Sequence, residues 1–302
     1  MSKKATREAY GEALATLVKE HDDIIVLDAD LTKSTKTIEA KKVMPQHHFN
    51  VGIAEANMMG IAAGLAASGK TVYASSFAMF AAGRAFEQIR NSIAYPQLNV
   101  KICATHAGIS VGEDGASHQS IEDIAIMRAI PNMCVVQPCD AISTRKAIAA
   151  SYLKKGPYYI RLGRSALSPV YTEDTPFEIG KGTILKQGSN ICILATGLMV
   201  QEAMEASKDT NITVVDMHTI KPLDETLLSL LALTHHTFIT CEEHSVIGGL
   251  GGAVCEYFTG STPKKVIRIG VNDTFGESGK PDALLKKYGL CASHIQEILR
   301  GC

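Results

Sequence analysis

The sequence has no excess of charge of either sign and no long apolar run. Its 302 residues carry 30 Lys and Arg against 31 Asp and Glu, so it offers no basic face for nucleic acid. No segment approaches the roughly 18 consecutive apolar residues that a membrane span requires. The opening MSKKATREAYGEAL lacks the apolar core of a secretory signal. We therefore expect a cytoplasmic protein that binds neither nucleic acid nor membrane.

The eight cysteines include no CxxC pair, and several lie in apolar runs such as VKICATH and NICILATG. This placement indicates buried, reduced thiols. The adjacent pairs His47-His48 and His235-His236 cannot both face one way on a strand, so they do not suit a metal ion. No GxxxxGK[ST] motif is present, which argues against hydrolysis of a nucleoside triphosphate. We expect no metal site built from this chain alone.

Short apolar runs alternate with helical stretches along the chain. The runs of the first half are IIVLDAD, HHFNVGI, TVYASS, NVKICATH, MCVVQP and YYIRLG. After a stretch with two prolines and acids (167–180), which we interpret as a linker, the runs ICILATG, ITVVDMH, TFITCEE and KVIRIG follow. Such alternation is typical of βα units around a mostly parallel sheet. We therefore predict an α/β protein of two domains, residues 1–166 and 177–302.

GGLGG (248–252) superficially resembles a dinucleotide-binding motif. It follows Ser245-Val246-Ile247 rather than a clean turn from strand to helix, and no acidic residue lies at the expected distance beyond it. We interpret these glycines instead as the start of a helix that packs closely on a sheet.

A second glycine-rich segment, VGEDGASHQSIED (111–123), combines acids with a histidine. It follows VKICATHAG (100–108), which predicts a buried strand that enters a loop at His106. Open α/β sheets bind their ligands at the carboxyl ends of strands, and glycine allows the backbone to approach a ligand closely. The Asp114 carboxylate and the His118 imidazole could there meet the hydroxyls of a polyol. The alternative is a surface loop whose polar residues cap the next helix.

The segment 50–70 predicts a strand, a loop and a helix with Glu55 at its start. A carboxylate in the first turn of a helix is favoured by the helix dipole, which would be sufficient reason for its presence. The alternative is a carboxyl group that Ile53, Met58 and Met59 half bury and that has a proton to share.

The same predicted helix has a face of small residues, namely Gly60, Ala63, Gly64 and Ala67. A face of this kind suits close helix packing, either within the chain or across a subunit boundary.

Two aromatic residues, Phe77 and Phe80, lie three positions apart where a predicted strand leads into a helix or an irregular turn. On spacing alone they are core side chains. They could also form one wall of a slot for a flat ring.

Three polar residues lie on separate segments. Arg7 is in a predicted N-terminal helix, Ser34 is in a loop after a strand, and Arg164 follows a strand end. Two guanidinium groups and a hydroxyl could together bind one oxyanion, because guanidinium binds phosphate through two parallel hydrogen bonds. Solvated surface arginines are the alternative.

Taken in order, these motifs resemble the C-terminal half of transketolase. The resemblance rests on ATREAYGEAL, LDADLT, FNVGIAEANM, SSFAMF, ATHAGISVGEDGASHQSIED, IRLGR, ILATG, ITCEEH and FGESG. The string GEDG-x-[ST]-HQ together with a GI-x-E helix start is much more specific than any single glycine motif. The resemblance implies a thiamine-diphosphate-binding fold, with a pyrimidine-binding domain followed by a smaller α/β transketolase C-terminal domain.

The resemblance also implies roles for individual residues. Glu55 would hydrogen-bond the aminopyrimidine ring of thiamine diphosphate, Phe77 and Phe80 would line its pocket, and Asp30 would lie beside the cofactor. The sugar phosphate would meet Arg7, Ser34, His106 and Arg164, and the substrate hydroxyls would meet Asp114 and His118. Gly83 stands where many transketolases carry a third pocket aromatic, so the pocket is expected to differ there unless Phe86 or a partner residue fills the space.

The chain lacks the GDG…N motif with which the family holds the diphosphate and its Mg²⁺. The resemblance therefore implies half of a split enzyme. A partner N-terminal subunit would carry the diphosphate-binding domain and hold the metal ion, and the two chains would form an α2β2 heterotetramer with the cofactor at their interface.

The reaction implied is transfer of a two-carbon ketol unit from a ketose to an aldose acceptor. Glu55 would share a proton with the pyrimidine ring, His118 and His106 would hydrogen-bond oxygens that change charge, and Asp114 would select hydroxyl configuration. Pentose phosphates, branched-sugar phosphates and sulfonated sugars would all present an anionic tail. The alternatives are a β-type subunit of a 2-oxo acid dehydrogenase, a deoxyxylulose-phosphate synthase fragment, and a non-catalytic regulatory subunit. GEDGASHQ argues against the first two.

Overall fold

The computed structural model describes residues 3–302; residues 1 and 2, with which the predicted first domain begins, lie outside them. The first half contains β1 (Lys4–Ala5), α1 (Thr6–Glu20), β2 (Ile24–Asp28), α2 (Thr32–Thr35), α3 (Ile38–Val43), β3 (His48–Asn50), α4 (Glu55–Ala67), β4 (Thr71–Phe77), α5 (Phe86–Gln88), β5 (Val100–Thr105), α6 (Asp123–Arg128), β6 (Cys134–Val136), α7 (Ala141–Leu153), β7 (Tyr158–Arg161) and β8 (Ala166–Leu167). π-Helices Met79–Arg84 and Ile89–Ala94 flank α5, and 3₁₀ turns span Pro45–His47 and Ile109–Val111.

The second half is a smaller α/β unit. It contains β9 (Thr183–Lys186), β10 (Asn190–Ala195), α8 (Met199–Ala206), β11 (Thr213–Asp216), β12 (Thr219–Lys221), α9 (Glu225–Ala232), β13 (His235–Ser245), α10 (Leu250–Gly260), β14 (Lys265–Val271), α11 (Pro281–Lys287) and α12 (Ala292–Arg300). Each apolar run in the sequence forms a strand, so the α/β prediction is confirmed. Within residues 3–302, no helix combines the length and the apolar character needed to cross a membrane.

The first sheet has seven strands in the order β12-β6-β7-β5-β4-β2-β3. Six of them are parallel, and β12 pairs antiparallel with β6 through Thr219 and Val136. β12 belongs to the second half of the sequence. Its pairing was not predicted, because three residues are too few to show an alternating pattern.

Both faces of the first sheet are covered by helices. In β2, Ile25 and Leu27 pack towards α4 and the first π-helix, while Ile24 and Val26 pack towards α1 and α7. Burial on both faces explains why the strands read as continuous apolar runs. Because the six parallel strands point the same way, their carboxyl ends lie at one edge of the sheet. The predicted site residues other than Arg7, which is in α1, lie at or after these ends.

The second sheet has the order β14-β13-β10-β11-β9, with β9 antiparallel to β11. α8 and α12 cover one face, and α9 and α10 cover the other. The GGLGG segment begins α10, and a Cβ on Gly251 would lie 2.8 Å from Thr240 Oγ1 on β13. Close packing of this helix on the sheet is therefore confirmed.

The connection between the two sheets is irregular but well anchored. The Asp140 carboxylate, at the start of α7, accepts the backbone N–H groups of Val170 (2.7 Å) and Tyr171 (2.8 Å). The buried Tyr171 hydroxyl donates to Asp216 at 2.9 Å. The segment that we interpret as a linker is thus hydrogen-bonded to both halves of the chain. The division into domains 1–166 and 177–302 stays a prediction.

The cysteines are free, and four of them are buried: Cys103, Cys139, Cys192 and Cys241. The prediction of buried thiols in VKICATH and NICILATG is therefore confirmed. In the adjacent histidine pairs, His48 and His235 are buried while His236 is exposed, as alternation along a strand requires.

Candidate active site

Four aromatic rings cluster at the carboxyl edge of the first sheet. Phe77 is the last residue of β4, and Phe80 lies one turn further in the π-helix, with ring centroids 5.8 Å apart. His106 stacks on Phe77 at 3.8 Å, and His118 meets Phe80 edge-on at 5.2 Å. Phe77 is buried and Phe80 is half-buried, so the pair forms a wall that is open on one side. A flat ring could lie against such a wall.

Glu55 is the first residue of α4 and is only 4% exposed. Its carboxylate accepts hydrogen bonds from Arg84 Nη1, at 3.2 Å to Oε1 and 3.4 Å to Oε2. The Arg84 guanidinium also lies over the Phe80 ring, 4.2 Å from its centroid. Ile53 is 75% exposed, so the expectation that it helps to bury Glu55 is wrong; the loop before α4 turns its side chain outward.

Arg7 and His106 form a second contact within the cluster. Arg7 Nη1 donates to the Ser34 carbonyl oxygen at 2.9 Å and lies 3.1 Å from His106 Nε2. Because guanidinium only donates, Nε2 must accept, and Nδ1 then donates to Thr105 Oγ1 at 2.9 Å. Burial, together with the charges of Arg7 and Arg164, lowers the pKa of His106 to about 3. His106 is therefore neutral at physiological pH and holds Arg7 in place.

Arg7 retains an unused donor. Its Nε is buried and has no hydrogen-bond partner within the described chain. A buried N–H without a partner costs free energy, on the order of 1–3 kcal/mol, unless a ligand or water accepts from it. This atom therefore points to an anion or a polar ligand beside Arg7.

Ser34 lies in the short helix α2 rather than in a loop, so that expectation is wrong. The Thr35 N–H donates to the Leu31 carbonyl at 2.8 Å. The Asp28 carboxylate accepts from the hydroxyls of Thr32 and Thr37, each at 2.9 Å, and this tightens the turn into a helix. The consequence is that the Ser34 carbonyl points at Arg7.

The loop 108–120 carries the next two predicted residues. Asp114 is exposed, and His118 is half-buried with its Nδ1 at 2.9 Å from Ser117 Oγ. Arg164 follows β7 and donates from Nη1 to the Val111 carbonyl; the same nitrogen lies 3.7 Å from Glu113. Arg164 therefore lies beside this loop.

The structure brings together most of the residues that the sequence singled out. The connected set is Arg7, Ser34, Glu55, Phe77, Phe80, His106 and His118, with Arg164 nearby. Asp30 and Asp114 are exposed, and within the described residues no hydrogen bond joins either carboxylate to another member. Asp30 has a positive φ of 61°, and its N–H donates to Asn50 Oδ1 at 3.1 Å.

Two further expectations concern the helices around the rings. A Cβ on Gly60 or Gly64 would meet nothing within 4 Å in the described chain. The expectation that these two glycines pack against another helix within the chain is therefore wrong. Gly60 and Gly64 face solvent.

The second expectation concerns Gly83. It is exposed in the π-helix, and Phe86 packs on the core of the first sheet.

Sequence reasoning missed several charged groups, of which Arg84 is exposed and Arg161, Glu242 and Glu243 are buried. Arg84 follows Phe80 by four positions. Side chains at this spacing are neighbours on a helix, so the spacing was the signal available in the sequence. Arg161 is 1% exposed and pairs with Asp123 at 2.8 Å. Burial raises the pKa values of Glu242 and Glu243 to about 7, and these two acids lie in the ITCEEH motif. A polar motif inside a strand was the signal for them.

The structure thus has an α/β domain with an aromatic and cationic cluster at the carboxyl edge of its sheet, followed by a second α/β domain. Residues 2–169 match the family model of the transketolase pyrimidine-binding domain, and residues 180–295 match that of the transketolase C-terminal domain. The chain belongs to the transketolase family, as its motifs predicted. Transketolases are thiamine-diphosphate enzymes. The two domains of this chain correspond to the C-terminal part of a transketolase.

Relatives of similar length support this assignment. A putative transketolase C-terminal section from Methanocaldococcus jannaschii is 53% identical over 97% of this chain and 94% of its own length. A 6-deoxy-6-sulfo-D-fructose transketolase subunit from Clostridium sp. is 40% identical, with 96% and 91% covered. A solved structure described as a split-gene transketolase, inactive β4 tetramer, superimposes with a TM-score of 0.90 at 51% identity, covering 99% of this chain and 98% of that one.

Proposed function

We propose that this chain is the pyrimidine-side subunit of a split transketolase, which moves a two-carbon ketol unit from a ketose to an aldose. The observation that carries the proposal is the cluster in which Phe77, Phe80, His106 and His118 meet between Glu55 and Arg7. It places a buried carboxylate, an aromatic wall and cationic donors at one edge of the sheet, as the family's chemistry requires.

The residues present fit the aminopyrimidine of thiamine diphosphate. The Arg84 guanidinium, a flat group with N–H donors, already lies on the Phe80 face and bonds to Glu55. A flat aminopyrimidine ring could make the same two contacts. We propose that Phe77, Phe80, Glu55 and Asp30 bind the pyrimidine side of the cofactor.

When bound, thiamine diphosphate supplies the nucleophilic carbon that takes up the two-carbon unit. Glu55 would hold a proton at the pyrimidine ring nitrogen, and its burial keeps water away from that contact. His118 would hydrogen-bond substrate oxygens from the loop 108–120, where Asp114 would contact hydroxyl groups. His106 would act mainly through Arg7, because its Nε2 already accepts from that guanidinium.

We propose that the substrate carries an anionic tail, phosphate or sulfonate, bound by Arg7 and Arg164 with Ser34 beside them. The support is the buried Nε of Arg7, which has no partner within the described chain, and the nearby Arg164, whose charge, together with burial, lowers the pKa of Arg7. Guanidinium groups bind both kinds of oxyanion. The Clostridium relative, by its description, acts on a sulfonated sugar.

The partner in this proposal is an N-terminal subunit that holds the diphosphate and its Mg²⁺ in an α2β2 heterotetramer in the cytoplasm. Three facts support it. This chain lacks the GDG motif, and the Methanocaldococcus relative is described as a C-terminal section. A tetramer of β chains alone is described as inactive for the solved relative.

The test is reconstitution. The purified chain would be mixed with a GDG-containing N-terminal subunit, thiamine diphosphate, Mg²⁺, a ketose phosphate donor and an aldose acceptor. Release of the shortened aldose and formation of the lengthened ketose would be followed. Ketol transfer by the mixture, and none by either chain alone, is the expected result. Decarboxylation of a 2-oxo acid instead would identify a dehydrogenase-type subunit, and an active N-terminal subunit that this chain only modulates would identify a regulatory role.

A further inference from the structure

The loop 108–120 has almost no regular structure of its own. It contains one 3₁₀ turn, Ile109–Val111, and it is closed at its base where the Gly108 N–H donates to the Ser120 carbonyl at 2.8 Å. It carries Asp114 and His118. Turns within the loop, such as those closed by Gly115 N–H to Gly112 O and His118 N–H to Gly115 O, shape its backbone. Contacts from outside the loop fix where the loop as a whole lies.

One such contact comes from the second sheet. Glu243 on β13 is 2% exposed, and its Oε1 accepts the N–H of Ser110 at 2.5 Å. A Cβ on Gly108, whose φ is +84°, would lie 2.4 Å from Glu243 Cδ. The carboxyl group is thus packed directly on the loop backbone, four residues before Asp114.

A backbone group of the second half, the Glu277 carbonyl, contacts the same loop at a second point, where it accepts from Gln119 Nε2 at 2.9 Å. Within the loop, Gln119 Nε2 also donates to the carbonyl oxygens of Ile109 (3.1 Å) and Gly112 (3.3 Å). The loop is therefore held at two points by the second half of the chain.

Arg161 fixes the strand segment that carries Glu243. The guanidinium is buried with Asp123, and Nη2 donates to the carbonyl oxygens of Ser120 and Glu243, each at 3.1 Å. The end of β7, the base of the loop and β13 are thereby joined through one side chain. Glu243 has little freedom to move relative to the loop.

We infer that Glu243 is a positioning residue, which sets the place of Asp114 and His118 by holding the N–H of Ser110 without touching the substrate. The inference rests on the proposed function, in which Asp114 and His118 contact the sugar. It gives the second domain a part in the reaction. A loop displaced by about 1 Å would cost on the order of 100-fold in rate, because reacting groups must be held closely in place.

Glu242 is a matched control. It is the neighbouring buried glutamate on β13, but its carboxylate accepts the N–H groups of Leu250 (2.7 Å) and Gly251 (2.8 Å) at the start of α10. Glu242→Ala therefore removes a buried carboxyl from the same strand and leaves the loop contact intact.

The first experiment measures amide hydrogen exchange of the isolated 302-residue chain, and it does not depend on any activity. Glu243→Ala should speed exchange in peptides that cover 108–120, while Glu242→Ala should speed it around α10 only. Glu243→Gln keeps an acceptor oxygen and should restore most of the protection. If Glu243→Ala leaves exchange in 108–120 unchanged, the inference is overturned, whether or not the proposed function holds.

The second experiment uses the reconstituted complex. Glu243→Ala should lower kcat/KM for the ketose by about 100-fold, with the Kd for thiamine diphosphate unchanged, and Glu243→Gln should recover most of the loss. Glu242→Ala should keep kcat/KM near wild type. Equal losses in Glu243→Ala and Glu242→Ala, or equal losses in kcat/KM and cofactor affinity, would show that Glu243 is only structural. An inactive wild-type complex would refute the proposed function instead.

Discussion

Glu55 is buried at the start of α4, and substituting it tests whether the site is catalytic. Glu55→Gln keeps the shape of the side chain but cannot share a proton, so kcat of the reconstituted enzyme should fall by about 10²–10⁴-fold, the range of a general acid or base. Circular dichroism should show an unchanged fold. Steady-state kinetics of the mixed subunits measures the effect.

Glu39 provides the control for this variant, because it is a first-turn glutamate of α3 with an exposed partner, Lys42. Glu39→Gln should leave turnover unchanged. If Glu55 matters only as a helix-start residue, Glu55→Gln would cost about 0.3–1 kcal/mol of stability and no activity. That outcome would remove Glu55 from the proposed mechanism.

Arg84 occupies both contacts that we assign to the pyrimidine ring, so it must move before the cofactor binds. Its side chain is 54% exposed, and its pair with Glu55 is worth about 1 kcal/mol at most. Arg84→Ala should therefore tighten thiamine diphosphate binding to the assembled enzyme by up to about 5-fold. Calorimetry would measure this, with the surface variant Arg90→Ala as control. Weaker binding would show that Arg84 supports the cofactor.

Arg164 lies beside the loop 108–120 and near Arg7. A charge-assisted contact to a substrate tail is worth about 1.5–3 kcal/mol, so Arg164→Ala should lower kcat/KM about 10- to 100-fold for substrates with a phosphate or sulfonate tail. Analogues without the tail should be affected much less. Equal losses for both would mean that Arg164 serves the loop, through the Val111 carbonyl, rather than the anion.

Helix α7 begins with a capping box that also anchors the linker. The Asp140 carboxylate accepts the N–H of Ser143 at 2.7 Å as well as those of Val170 and Tyr171. Asp140→Ala should lower the free energy of unfolding by about 2–4 kcal/mol, because it removes a helix cap and leaves two further N–H groups without a partner. Urea unfolding would measure this.

Ser143→Ala separates the two parts of that effect. It removes the bonds of Ser143 Oγ, which accepts the N–H groups of Asp140 (3.0 Å) and Cys139 (3.1 Å) and donates to the Asp140 carbonyl (3.2 Å), and it keeps the linker contacts. Its loss should be clearly smaller than that of Asp140→Ala. Similar losses in the two variants would show that the linker contacts contribute little.

Strand β12 shows that the two halves are not independent elements. It comes from the second half of the chain but covers the edge strand β6 of the first sheet. A first half expressed alone would leave that edge unpaired, and unpaired edges favour aggregation.

The described residues, 3–302, present the pyrimidine side of the proposed cofactor site. We expect no tight binding of thiamine diphosphate by the isolated chain and no turnover, because the diphosphate and metal ligands would come from the partner subunit. Isothermal titration calorimetry with and without that subunit would measure this. Saturating, high-affinity binding by the isolated chain would refute the split-enzyme proposal.

The sequence alone specified the α/β class and ten of the fourteen strands within residues 3–302, because buried parallel strands require continuous apolar runs with turns at their ends. It also indicated the helix start at Glu55 and the two phenylalanines. These are local patterns. They depend on neighbours a few residues apart, so a linear reading can find them.

The tertiary structure determined which side chains of distant segments contact one another. Three pairings, of Arg84 with Glu55, of Arg7 with His106 and of Glu243 with Ser110, join residues that are 29, 99 and 133 positions apart. The direction of Ile53 and the helical conformation of Ser34 likewise depend on contacts made after folding. No local pattern encodes such contacts, because burial and hydrogen bonding between distant segments arise only once the chain folds.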